Sequence, residues 1–192
     1  TISGTIYHRY GLYQFDYDIP TLTVSPSSTT SPEWRNSALS VTVTHNDTGG
    51  SGLASTSGEY FLTTNASPTS KGSLTGTYTS GTAFNINPGT SGQYYLFVKQ
   101  KADNATNTSS TTNYVTISGT IYHRYGLYQF DYEKPTITVT PDSATWRNSA
   151  LSVTVTHNDT GGAGFASTSG EYFLTTSSSP TSKGSLTGTY TS

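Results

Sequence analysis

Residues 38–47 read ALSVTVTHND. Leu39, Val41 and Val43 fall on one face of an extended chain, Ser40, Thr42 and Thr44 on the other. That period of two predicts a half-buried β-strand, and the same stretch returns at 150–159. Similar signals follow at short spacing: PTLTVSP (20–26), GEYFLTTN (58–65), SLTGTYTS (73–80), TAFNINPG (82–89) and GQYYLFVKQKAD (92–103). The last of these is apolar without a break from Tyr94 to Val98, as a central strand is. Turn-forming residues separate the strands, and NYVTISGTIYHRYGLYQFDY (113–132) closes the set. No segment keeps a helical period. The expected fold class is all-β, with seven or so strands in a Greek-key β-sandwich.

Composition agrees. The 192 residues include 38 Thr, 29 Ser, 15 Tyr and 7 Phe, and Thr, Tyr and Phe suit a pleated, half-buried surface. Only 10% of residues are charged and the formal net charge is −2, which gives no electrostatic reason to expect nucleic acid or an anionic membrane as a partner. No apolar run is long enough to span a bilayer. Cys and Met are absent, so neither disulfides nor thiol chemistry enters. A chain with so little to oxidise suits an extracellular setting.

The chain repeats itself. Residues 1–17 recur unchanged at 116–132, and residues 34–80 recur at 146–192 with four differences: Ser51/Ala163, Leu53/Phe165, Asn65/Ser177 and Ala66/Ser178. The offset is 115 in the first block and 112 in the second, so three residues are lost in the loop before Trp34 or Trp146, where an indel is cheap. The expected organisation is the C-terminal strand of a preceding repeat (1–17), a complete repeat (18–132) and the N-terminal part of the next (133–192). This division predicts a natural polypeptide that is a longer tandem array.

The residues GEYFLTT (58–64), GTSGQYYLFVKQKADNATN (89–107) and FDYDIPTLTV (15–24) carry a resemblance. The chain resembles the bacterial immunoglobulin-like (Big-type) tandem repeats of large cell-surface and adhesin stalk proteins. Their late-strand motif looks like Gly92-Gln93-Tyr94-Tyr95 followed by Asp103-Asn104-Ala105-Thr106-Asn107, with Thr106 where that family usually has Gly. Their inter-repeat Asp-x-x-Pro joint looks like Asp16-Tyr17-Asp18-Ile19-Pro20 and Asp131-Tyr132-Glu133-Lys134-Pro135. The resemblance implies immunoglobulin-like sandwiches stacked end to end in a stalk or filament on a bacterial cell surface, and no catalysis.

The stretch YHRYGLYQFDY, at 7–17 and again at 122–132, is the aromatic centre of the chain. Its place just before the joint proline predicts a final strand. Its rings (Tyr7, Arg9, Tyr10, Tyr13, Phe15 and Tyr17; Tyr122, Arg124, Tyr125, Tyr128, Phe130 and Tyr132) are expected to serve core, inter-domain or self-association packing. Gly11 is a candidate for a bulge that changes the register. The alternative is a carbohydrate-binding or adhesive surface of exposed tyrosines, with surface glycans as partner. Neighbouring copies of the repeat are the partner expected otherwise, as a homopolymer or fibre.

The carboxylates sit in turns and at joints. Asp and Asn there accept backbone hydrogen bonds, which is the preferred reading. The alternative is calcium, with Asp16, Asp18, Asp47, Asp103, Asp131, Glu133 and Asp159 as oxygen ligands. His45 with Asp47, and His157 with Asp159, share a strand face but lack a third ligand nearby, and are expected to be surface histidines at strand ends. No Ser-centred elbow, carboxylate pair or phosphate loop points to an enzyme. Asn46, Asn65, Asn104, Asn107 and Asn158 begin N-x-S/T sequons and are candidate glycosylation sites.

Overall fold

The computed structural model describes residues 2–27, 33–142 and 145–192. The loop expected to absorb the three-residue length difference lies largely outside the described residues. The protein is all-β, with no helix among them. Its strands are β1 (Thr21–Ser25), β2 (Trp34–Arg35), β3 (Leu39–Asn46), β4 (Ser57–Thr63), β5 (Leu74–Thr79), β6 (Ala83–Ile86), β7 (Gly92–Lys99), β8 (Tyr114–Ile117), β9 (Thr120–Phe130), β10 (Thr136–Thr140), β11 (Thr154–Asn158), β12 (Ser169–Leu174) and β13 (Leu186–Thr191). Two compact units divide the chain: Thr1–Glu33 with Ala38–Pro88 and Gln93–Tyr128, and Trp34–Ser37 with Gly89–Gly92 and Gln129–Ser192.

In the first unit, β1, β3 and β6 form one antiparallel sheet, with Val24 opposite Val43 and Val41 opposite Phe84. A second sheet runs β9-β7-β4-β5, with β8 hairpinned onto β9. The alternation read in residues 38–47 holds: Leu39, Val41 and Val43 are buried while Ser40 and Thr44 are exposed. Cross-sheet contacts join the two. The Tyr60 and Phe84 rings stack at 4.5 Å, and the hydroxyls of Tyr125 and Tyr128 donate to the carbonyls of Leu22 and Pro26 at 2.8 Å each. Along a strand Tyr125 and Tyr128 would point to opposite faces. Both reach the β1 segment because Gly126, at φ 64°, shifts the register between them.

The β9-β7-β4-β5 sheet is buried on both faces. Phe61 and Leu62 are both buried, as are Leu96, Phe97 and Val98, although successive side chains point opposite ways. This explains the unbroken apolar run of β7. Leu62, Leu96 and Val98 share one face; on the other, Phe61, Phe97, Ile117 and Tyr122 form a separate cluster. There Phe61 stacks on Phe97 at 4.8 Å and meets Tyr122 edge-on at 5.2 Å.

In the second unit, β10 pairs with β11 and β12 with β13 in the registers their counterparts use: Thr136 opposite Asn158 as Thr21 faces Asn46, and Ser169 opposite Thr191 as Ser57 faces Thr79. The last residues of β9 pair with β2, a parallel contact that the sequence reading did not foresee. Leu174 and Leu186 are exposed, whereas the equivalent Leu62 is buried and Leu74 half-buried.

The eleven-residue aromatic stretch adopts two states. Its second copy runs through β9 into the residues just beyond, and Tyr122 and Tyr128 are buried. The first copy is a correction to the expected strand: residues 6–20 are irregular, and Tyr7, Tyr10, Tyr13, Phe15 and Tyr17 are exposed. Only the tight turn before it forms in both copies. Ser3 and Gly4 have φ 48° and 78°, the values repeated at Ser118 and Gly119. A turn is specified by its own residues, whereas a strand needs partner strands. The first copy has none among the described residues.

The two copies therefore predict opposite responses to one substitution. Tyr122→Ala, at a ring 1% exposed, should cost about 3–5 kcal/mol in chemical denaturation. Tyr7→Ala, at the same position of the repeat but 67% exposed, should cost no more than about 0.5 kcal/mol.

Candidate functional site

Three loops of the first unit meet at the segment leading into β1. Asp16 supplies the centre. Its Oδ2 accepts the Ser51 amide at 2.9 Å, its Oδ1 accepts the Asp18 amide at 3.0 Å, and its carbonyl accepts Asn107 Nδ2 at 3.0 Å. Hydrogen bonding from Ser51, and then from the Asp18 amide, holds the Asp16 carboxyl below the ordinary carboxylate value. The Ser51 loop closes on itself through Asp47, whose Oδ1 accepts the Gly49 amide at 3.1 Å. Gly49 is required by this approach, since a Cβ there would lie 2.1 Å from Asp16 Oδ1.

The third loop follows β7. Asp103 is 1% exposed, and its two oxygens accept the Asn107 amide and Asn107 Nδ2, both at 2.8 Å. Asn107 Nδ2 thus bridges Asp103 and the joint segment. Asn104 Nδ2 donates to the Ser51 carbonyl at 2.8 Å and ties this loop to the second. The outcome is a cluster of three carboxylates, Asp16, Asp47 and Asp103, whose oxygens lie within 4.8 Å of one another.

Of the candidate calcium ligands, the structure brings these three together. Asp18 is exposed and contributes its amide, not a convergent carboxylate. In the second unit the joint is built the same way. Asp131 Oδ2 accepts the Ala163 amide at 2.9 Å, Asp131 Oδ1 accepts the Glu133 amide at 3.0 Å, and Asp159 Oδ1 accepts the Gly161 amide at 3.1 Å. Glu133 therefore acts through its backbone, as Asp18 does. Sequence reasoning missed Ser51 and Asn107, whose roles are hydrogen bonds across 35 and 91 residues.

Several expectations need correction. His45 is not a surface histidine. It continues the inward face of Leu39, Val41 and Val43, is buried, and shares a 2.7 Å hydrogen bond between Nε2 and the Tyr78 hydroxyl. It does not join Asp47 in a site. His157 repeats the bond with Tyr190 at 3.0 Å and is half-buried. Tyr122, Tyr128 and Phe130, by contrast, are buried, which agrees with the core packing among the roles expected of the stretch. Arg124 donates to the Ala66 carbonyl at 2.9 Å and lies over the Tyr95 ring; Tyr132 stacks on Phe130. Among the sequons, Asn46, Asn65, Asn104 and Asn158 are exposed, but both Nδ2 hydrogens of Asn107 are engaged, leaving none for a sugar without breaking a bond. No protein-family model matches the chain, and no curated protein and no solved structure matches it.

Two outcomes follow from this geometry. Asn107→Ala strands the buried Asp103 carboxylate and frees the joint segment, so thermal and urea unfolding should show a loss of about 1–3 kcal/mol. The second concerns pH. Burial lowers the pKa of His45 to about 4; burial also lowers that of His123, and both titrate near 6.5 in the unfolded chain. The unfolded state then binds protons that the folded state refuses. Stability from these neutral imidazoles is complete above about pH 6.5 and is lost as pH falls below it. A His123→Gln variant should show a shallower decline than the wild type over that window.

Proposed function

We propose that the chain is a structural segment of an extracellular bacterial stalk, adhesin or filament, in which immunoglobulin-like β-sandwich repeats follow one another and space or anchor other parts. One observation carries this reading: the same joint is built twice. Asp16 and Asp131 each precede a proline, each cap the amide two residues on, and each accept the amide of Ser51 or its counterpart Ala163 at 2.9 Å. An array needs such a rule, because every repeat must meet the segment before it in one way. The paired sheets of the first unit, joined by Tyr60–Phe84 and by the Tyr125 and Tyr128 hydroxyls, support the sandwich reading.

A second reading rests on the exposed first copy of the aromatic stretch, where the Phe15 and Tyr17 rings lie 2° from parallel. Parallel exposed rings suit stacking on a sugar. The burial of the equivalent tyrosines in β9 favours the structural reading.

Intact-mass analysis and electron microscopy of native material decide between them. The structural reading expects a polypeptide longer by repeats of about 115 residues, seen as beads or a fibre. Native material of this length alone would overturn it. Glycan-array binding that vanishes on Tyr10→Ala would favour the second reading instead.

A further inference from the structure

We propose that Trp146 of one copy of the chain seats on Gly50 of a second copy, joining copies head to tail. The proposal goes beyond the structural role and does not depend on it.

The contact exists once already, within the second unit. Trp34 and Arg35 pair in parallel with Gln129 and Phe130, and the Asp131 amide donates to the Arg35 carbonyl at 2.7 Å. This pairing presents the half-buried Trp34 ring to the turn after β11. There the ring lies against Gly162, where a Cβ would fall 2.7 Å from Trp34 Cη2.

The first unit carries the same seat, open. Gln14, Phe15 and Asp16 repeat Gln129, Phe130 and Asp131, and Gly50 repeats Gly162. Asp16 is fixed on the Ser51 amide as Asp131 is on that of Ala163, both at 2.9 Å. A cavity of about 470 Å3 is lined there by Gln14, Phe15, Asp16, Gly50 and Ser51. A Cβ at Gly50 would meet nothing within 4 Å. Phe15 is 74% exposed, whereas Phe130 is fully buried.

The ring that fits this seat is on the chain as well. Residues 146–149 repeat 34–37 unchanged, and Trp146 is 100% exposed. A packed aromatic side chain buries roughly 150–250 Å2, so an open indole and an open seat both leave apolar surface in water. Ring and seat match the pair already joined at Trp34 and Gly162, which makes a second copy the occupant. Each copy offers one ring and one seat on different surfaces. Association is therefore head to tail, and it continues unless the rotation closes a ring of copies. One indole and a two-residue strand pairing fall short of the roughly 1,200 Å2 of a stable interface, so the contact is weak.

The test is sedimentation equilibrium of the full chain from about 20 μM to about 1 mM, with a Kd of about 0.1–1 mM expected. The weight-average mass should rise with concentration above the 20.4 kDa of one chain. Trp146→Ala, at a ring wholly in water, should fold as the wild type does and weaken association at least about tenfold. Gly50→Ala should do the same. Its Cβ has room in the single chain and Gly50 lacks the positive φ of Gly162, but the methyl group fills the seat. Both variants should melt with the wild type. Mixed, they should form a one-to-one dimer and stop, because one keeps the seat and the other keeps the ring. A mass that stays at 20.4 kDa up to about 1 mM would overturn the proposal. So would wild-type association in either variant, or a mixture that stays monomeric. A monomeric chain would leave the intact mass of native material unaffected, so this proposal and the structural reading fail separately.

Discussion

A carboxylate that accepts two backbone amides fixes how the chain enters each repeat. Asp16 faces the Asp18 and Ser51 amides, and Asp131 faces those of Glu133 and Ala163. Such bonds set direction as well as distance, so the joint segment is held in one orientation against the turn that follows β3 or its counterpart β11. Gly49 and Gly161 then become obligatory, because a Cβ at either would fall within 2.1 Å of the carboxylate. Asn107 completes the arrangement in the first unit by spending both amide hydrogens, one on Asp103 and one on the Asp16 carbonyl. The acidic cluster is a consequence of this closure.

The repeated aromatic stretch separates what is local from what is not. Identical residues give an identical Ser-Gly turn at both copies, with the same dihedral angles. They give a strand only at the second copy, where β7 and β8 stand beside it. Burying a tyrosine needs neighbours, and its apolar surface gains nothing when the neighbours are missing. In the second unit β12 and β13 likewise pair in register while Leu174 and Leu186 stay exposed.

Much of the fold was legible in the sequence because alternation is a local signal. The strands β1, β3, β5, β6 and β7 lie within the stretches predicted for them, β4 begins one residue before its own, and Gly126, the repeat of Gly11, has a positive φ. The parallel contact of β2 with β9 was not legible, since two residues carry no period. His45 was misread as a surface residue although its parity with Val41 and Val43 placed it inside; the polar side chain concealed a buried bond to Tyr78. Asp16, Asp47 and Asp103 were candidates one by one, yet their convergence depends on bringing together three loops separated by up to 87 residues, which spacing alone does not encode. Asn107 was marked by the late-strand motif and as a sequon, neither of which points to a bond across 91 residues.

The joint aspartate holds the segment before each repeat to the turn that follows. Amide hydrogen exchange at Ser51, resolved by NMR in the wild type and in Asp16→Ala, tests it most directly. Exchange should be slow in the wild type and lose its protection in the variant, with the amides of β3 and β7 unchanged. Equal exchange at Ser51 in the two proteins would contradict it.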